Sequence, residues 1–158
     1  MEKLTHYSAS NLSAEAEVGR EQWNQQPSAS IVTKAAENIQ RRGITVIRAH
    51  NGETALETLK DLIPLGAEVM SGASTTRLEI GYDEYVNSDK SGWNDLHRAI
   101  IAENDEKRRH ELRRRSVTAD YFVSGVNAIA QSGEIVACEK SGSCVGAWAF
   151  AAAGRVAD

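Results

Sequence analysis

At 158 residues the chain has the length of one domain and can bury a core without disulfide or metal staples. Its apolar and charged fractions, 41% and 25%, exclude a disordered or fibrous class, and a formal charge of -4 gives no global pull towards nucleic acid or anionic lipid. No apolar run reaches membrane-spanning length, and Met1-Glu2-Lys3-Leu4-Thr5-His6 lacks the layout of a signal peptide, so a cytoplasmic location without membrane insertion is expected.

Residues 1–27 read as a polar arm, with a short helix over 13–23 that Gly19 weakens. An α/β domain follows over 28–158. Ser28 or Ser30 caps a helix that runs to Arg42, with Ile31, Val32, Ala35, Ala36 and Ile39 at helical spacing and Gly43 as its stop. The β-branched run 44–49 predicts a strand. Asn51 caps a second helix over 53–63, which Pro64 and Gly66 end. A strand over 67–71 then feeds a first glycine and hydroxyl loop, and a short helix follows from Thr76 to about Tyr82.

Residues 92–115 make the longest helical pattern and the most charged one. Lys107, Arg108, Arg109, Arg113, Arg114 and Arg115 interleave with Glu103, Asp105, Glu106 and Glu111. With no aromatic platform beside them, these bases read as a solvated helix face rather than a nucleic-acid site. A third strand spans 120–124. The runs 126–130 and 134–137 flank Gln131-Ser132-Gly133 and predict a β-hairpin. A second glycine loop and a closing helix end the pattern. The alternation implies a three-layer α/β fold with a mostly parallel sheet, right-handed crossovers and an added hairpin.

Two loops carry the functional signal. Gly72, Ser74, Thr75 and Thr76 stand in the first, ahead of Arg77; Ser141, Gly142, Ser143 and Gly146 stand in the second. A strand followed by such a loop and a helix frees backbone N–H groups for an anion, glycine admits the ligand, and hydroxyls add donors. Ligands of open α/β sheets sit beyond the carboxyl ends of the strands, so both loops should meet there. Arg77 can clamp a carboxylate or lie on the solvent face, and Asn127 either faces the ligand or pins its strand end. Glu79 and Glu134 are the carboxylates close to these motifs, and surface exposure or a salt bridge is the plainer role for each. Trp148 follows the second loop directly and is the tryptophan placed to wall a pocket. Cys138 and Cys144, the only cysteines, match no zinc or cluster spacing, and the four histidines are scattered. No metal, cofactor or catalytic residue is therefore assigned.

Gly66-Ala67-Glu68-Val69 through Gly72-Ala73-Ser74-Thr75-Thr76-Arg77-Leu78-Glu79-Ile80-Gly81 resembles the lactate-utilisation (LUD) family segment "GA.V..GGS.T..EIG". Residues 113–129, with Gly133-Glu134-Ile135-Val136, look like that family's second signature. The resemblance implies a fold like the sugar-phosphate isomerase and CoA-transferase (NagB/RpiA-like) superfamily. It also implies bacterial proteins that work with iron–sulfur partners in oxidising lactate to pyruvate. Gly72-Ala73-Ser74-Thr75 further resembles the phosphate-gripping loop of ribose-5-phosphate isomerases. However, the acids of their middle motif are missing at 124–127, and Ala149 and Phe150 stand about where their catalytic glutamate and a lysine belong.

In the LUD family the closing helix leads into another strand and a last helix, whereas here the sequence ends at Gly154-Arg155-Val156-Ala157-Asp158. That departure implies a sheet element that is missing or supplied by a neighbour, and an open edge that the 92–115 helix or the arm 1–27 covers, either within the chain or across the two-fold axis of a homodimer. The resulting expectation is an accessory or ligand-binding LUD-type protein for lactate or other 2-hydroxy acids. A stand-alone enzyme acting on a phosphorylated or CoA-linked substrate and a structural interaction module are the alternatives.

Overall fold

A computed structural model describes residues 25–88, 90–139, 142–151 and 154–157; the short helix expected over 13–23 lies outside them. Helix α1 (Ala29–Arg41) starts where Ser28 caps it, the Ser28 hydroxyl accepting from the amide of Ile31. It stops ahead of Gly43, whose φ of 81° is the left-handed conformation that a helix terminus asks for. Helix α2 (Gly52–Leu62) starts on Asn51, whose side chain accepts from the amide of Thr54.

Between them, the expected strand over 44–49 does not form. Ile44 and Ile47 are 44% and 53% exposed. No ladder partner lies beside this run among the described residues, and β-branched sequence becomes a strand only when a neighbour completes its hydrogen bonds.

Strand β1 (Glu68–Ser71) leads through the first loop into α3 (Thr75–Glu79) and α4 (Tyr82–Asn87). The single short helix expected here is thus two, hinged at Gly81 with φ 76°. The long helix expected over 92–115 is also divided. Asn94–Asp95 form β2, pairing in parallel with β1; α5 (Leu96–Ala102) and α6 (Glu106–Ser116) follow. The division is local chemistry. Asp95 caps α5 by accepting from the amide of His97, Glu103 is extended, and Asp105 caps α6 by accepting from the amide of Arg108.

Strand β3 (Tyr121–Ser124) pairs in parallel with β1, Val69 opposite Tyr121 and Ser71 opposite Val123. The antiparallel hairpin forms as expected, with β4 (Ala128–Ile129) against β5 (Ile135–Val136). After α7 (Ser143–Gly146) and a π-helical turn, Ala147–Ala151, β6 (Gly154–Ala157) pairs in parallel with β3. The sheet order is β2-β1-β3-β6. Residues 154–157, where a sheet element was expected to be missing, thus form a strand of the sheet.

Strand alternation divides the core between two sheet faces. On one, Val69 and Val123 pack with Leu59 and Ile63 around α2, Tyr82 and Val86 of α4, and Trp93. The indole N–H of Trp93 donates to the Ile63 carbonyl at 3.1 Å, and Tyr85 meets the same ring edge-on at 5.2 Å. On the other face, Phe122 packs with Ala147, Met70, Val117, Cys144 and Trp148. Helical segments thus cover both faces, giving the three-layer α/β arrangement, with each fully buried large apolar side chain worth about 1.5–3 kcal/mol.

The hairpin is held to α1 rather than to the sheet. Asn38 donates to the Gln131 carbonyl at 2.8 Å, and Arg42 reaches both the Ser132 carbonyl and the Glu134 carboxylate. Gly133 fits against the helix backbone: a Cβ there would stand 2.7 Å from the carbonyl carbon of Asn38, at φ 94°. Gly43 also has positive φ, yet nothing lies within 4 Å of its Cβ position. Gly133→Ala should therefore cost more than about 2 kcal/mol, and Gly43→Ala only about 1 kcal/mol, in urea denaturation. Equal losses would show that the hairpin does not depend on this contact.

Candidate functional site

The first loop leaves β1 with its residues divided between the two faces of the sheet. Ser71 points to the α4 side, where its hydroxyl and that of Tyr82 hydrogen-bond at 2.9 Å, both buried. Gly72 points the other way. Its amide donates to the Val123 carbonyl at 2.9 Å, and a Cβ on it would stand 2.7 Å from Ser124 Cβ and 3.1 Å from Cys144 Sγ. Three segments meet here: the end of β1, the end of β3, and α7 with the second loop. Only a residue without a side chain fits between them.

Beyond Gly72, the Ser74 hydroxyl caps α3 by accepting from the amide of Arg77 at 3.3 Å. Thr75 and Thr76 are exposed on the first turn. Of the alternatives for Arg77, the solvent face is not the one adopted: the residue is only 7% exposed. Its Nη2 donates to Asp83 Oδ1 at 2.6 Å, and its guanidinium carbon stands 5.2 Å from the Tyr82 ring centre. Nε and Nη1 are buried and donate to nothing among the described residues. Each such donor costs about 1–3 kcal/mol when left unmatched, so this cation is held at a penalty.

The second loop is differently served. Gly142 stands ahead of α7 with φ 76°. The amide of Cys144 donates to Glu139 Oε1 at 2.6 Å, so a carboxylate of the chain itself occupies the start of this helix. Glu139 was not among the carboxylates singled out in the sequence; its place just before the glycine loop was the available signal. Gly146 abuts Val117, 3.2 Å from its Cβ position, which gives that glycine a packing role. Ser141 lies outside the described residues, and of Ser143 only the backbone is described.

Asn127 pins the hairpin: its side-chain oxygen accepts from the amide of Cys138 at 2.6 Å, and its own amide donates to the Val136 carbonyl. Glu79 is exposed. Glu134 is exposed too and bonded to Ser132 and Arg42; the Ser132 hydroxyl first, with Arg42 aiding, holds its carboxyl below the usual range. Trp148 packs edge-on to Phe122 with its ring 6.4 Å away, and its buried indole N–H has no acceptor among the described residues. No cluster of metal-ligating side chains occurs among the described residues, and none of their helices is long and apolar enough to cross a membrane. A solvent-open groove along α6, lined by Ile100, Ile101, Glu106, Arg109, His110 and Arg113, shares no residue with the loops.

A family model for the LUD domain matches residues 32–152, which contain both loops and every described strand but β6. Comparison with curated proteins gave no match, and comparison with solved structures gave none.

Two predictions follow from this geometry. Burial pushes the Tyr82 hydroxyl up to about 12 from 10.0, the Ser71 and Arg77 contacts only partly opposing it. The folded state thus holds this proton more tightly than the unfolded chain. The contribution is complete below pH 10 and is lost as pH rises towards 12, about 2–3 kcal/mol in all. Tyr82→Phe should flatten the fall of stability across that window in alkaline denaturation curves; an unchanged slope would assign the fall to other groups. Gly72→Ala should cost about 2–4 kcal/mol in denaturant unfolding, since neither Ser124 nor the backbone of β3 can withdraw without breaking the ladder. A loss below about 0.5 kcal/mol would show that the loops separate freely.

Proposed function

The chain belongs to the LUD domain family, and on that premise we propose that it is an accessory or ligand-binding protein of bacterial lactate or other 2-hydroxy-acid utilisation, working in the cytoplasm. It holds a small anionic ligand at the carboxyl end of β1, where the first loop meets the second. The observation that carries this reading is the contact of Gly72 with Ser124 and Cys144, which joins the two loops of the family match at one sheet end. Ser74, Thr75, Thr76 and Arg77 supply donors on the first loop, and Gly142 and Ser143 border the ligand from the second. Because Glu139 already serves the amide of Cys144, the first loop is the stronger anion partner. Electron transfer belongs to iron–sulfur partner proteins in this reading, since the sequence has neither a dinucleotide glycine fingerprint nor a cysteine cluster motif.

A thermal-shift series with lactate, pyruvate, ribose 5-phosphate and a CoA ester tests the ligand. At about 100 times its dissociation constant, lactate or pyruvate should stabilise the fold by about 2.7 kcal/mol. That is a rise of about 5–10 °C for a domain of this size. Stabilisation by the phosphate or CoA ester alone would turn the assignment to the isomerase and transferase alternative. No shift with any of them would remove the ligand-binding reading.

A further inference from the structure

Arg77 is the least expected residue of the molecule. A guanidinium, the most strongly hydrated part of its side chain, is taken out of water on a short helix beside the apolar face that contains Tyr82, Val86 and Trp93. It has one ionic partner, Asp83, and two N–H groups that donate to nothing among the described residues. Buried polar groups are matched in the great majority of folded structures, so two unmatched donors on one cation mark a place where a partner is expected.

The surroundings limit what that partner can be. Asp83 is 28% exposed at its side chain against 8% for Arg77, so the carboxylate is the side of the pair that borders solvent. Tyr82 lies under the guanidinium and stays neutral well above physiological pH. One fixed cation therefore faces one carboxylate of its own chain, Asp83. A dianion could be admitted only against uncompensated negative charge, whereas a monoanion can replace Asp83 with the charge count unchanged.

We propose that Arg77 is the carboxylate-binding group of this protein, and that Asp83 is an exchangeable internal counter-ion occupying its place until a monocarboxylate ligand arrives. This rests on the anion-binding reading above and narrows it to singly charged carboxylates. On exchange, Asp83 turns out to water, where hydration compensates its lost partner. The ligand carboxylate then takes Nη2 and one neighbouring N–H, completing the fork that Asp83 uses only in part. The Ser74 hydroxyl, which accepts from the Arg77 backbone amide, links this exchange to the Gly72 loop.

Isothermal titration of the full chain with L-lactate, lactamide and inorganic phosphate tests the exchange, using wild type, Arg77→Met and Asp83→Asn, each checked for fold by circular dichroism. Wild type should bind lactate, and should bind lactamide and phosphate at least about tenfold more weakly. Asp83→Asn should tighten lactate by about five- to tenfold, because the competing carboxylate is gone, and Arg77→Met should weaken it by about tenfold or more. If Arg77→Met does not fold, the Asp83→Asn comparison decides alone. Lactate bound equally by wild type and the variants would overturn the exchange and leave the loop reading standing. Phosphate bound more tightly than lactate would also overturn it. An absence of lactate binding in both wild type and Asp83→Asn would overturn the exchange and the ligand reading together.

Discussion

Parallel pairing of β1 with β3 brings the two glycine loops to the same end of the sheet, and the bare α-carbon of Gly72 is what lets them close on each other. With Ser124 Cβ at 2.7 Å and Cys144 Sγ at 3.1 Å from the position a side chain would take, the loops have no room to spare. The constraint acts in both directions along the chain. Upstream it fixes the register, because the amide of Gly72 extends the ladder to the Val123 carbonyl. Downstream it sets the point from which α3 departs, and hence where Ser74 and Arg77 stand. A one-residue slip would exchange Ser71 and Gly72 between faces, which would remove Tyr82's partner and drive a side chain into Ser124.

Arg77 shows what that placement costs. Apolar replacement of a buried ion pair is often neutral or favourable, so the Arg77–Asp83 pair is not explained by stability alone. The aromatic face of Tyr82 offsets part of the desolvation, and Asp83 offsets more. What stays unmatched is confined to two donors on one side chain, while the amide of the same residue is capped by Ser74. Unmatched donors are thus concentrated on one group in a segment whose caps are otherwise served.

Much of this was legible from the residues, and what was not has physical causes. Caps were readable because Ser28, Asn51 and Gly43 act within one helical turn of themselves. The strands at Glu68–Ser71 and Tyr121–Ser124 and the hairpin carry their own patterns, and the LUD signatures lie within the range that the family model matches. The run 44–49 misled because β-propensity is a statement about a neighbour, and none pairs with it among the described residues. The span 92–115 misled because charged residues of high helix propensity hide short caps: Asp105 read as a member of the charged face and Asp95 lay within the same helical span, yet each begins a helix. Burial of Arg77 could not be read from spacing at all. It depends on Tyr82 and Asp83 folding back across Gly81, a turn that the pattern merged into a single helix.

The two faces of the sheet end are therefore not equivalent. On the Phe122 face, the described part of the second loop is served within the chain at two points, Glu139 on the amide of Cys144 and Gly146 against Val117. On the Val69 face, the groups are ordered from the sheet outward as Ser71, Tyr82, Arg77 and Asp83, each touching the next. Only the outermost is open to solvent to any useful degree. A perturbation at Asp83 is thus passed inward through a cation and a phenol to the last residue of β1, next to the glycine on which the loops close. The backbone between Ser71 and Arg77 is five residues long and is bound at Gly72 and Ser74, so it has little slack to absorb such a change. The buried cation and the glycine contact are thus joined by one continuous chain of contacts, from Asp83 through Arg77 and Tyr82 to Ser71 beside Gly72.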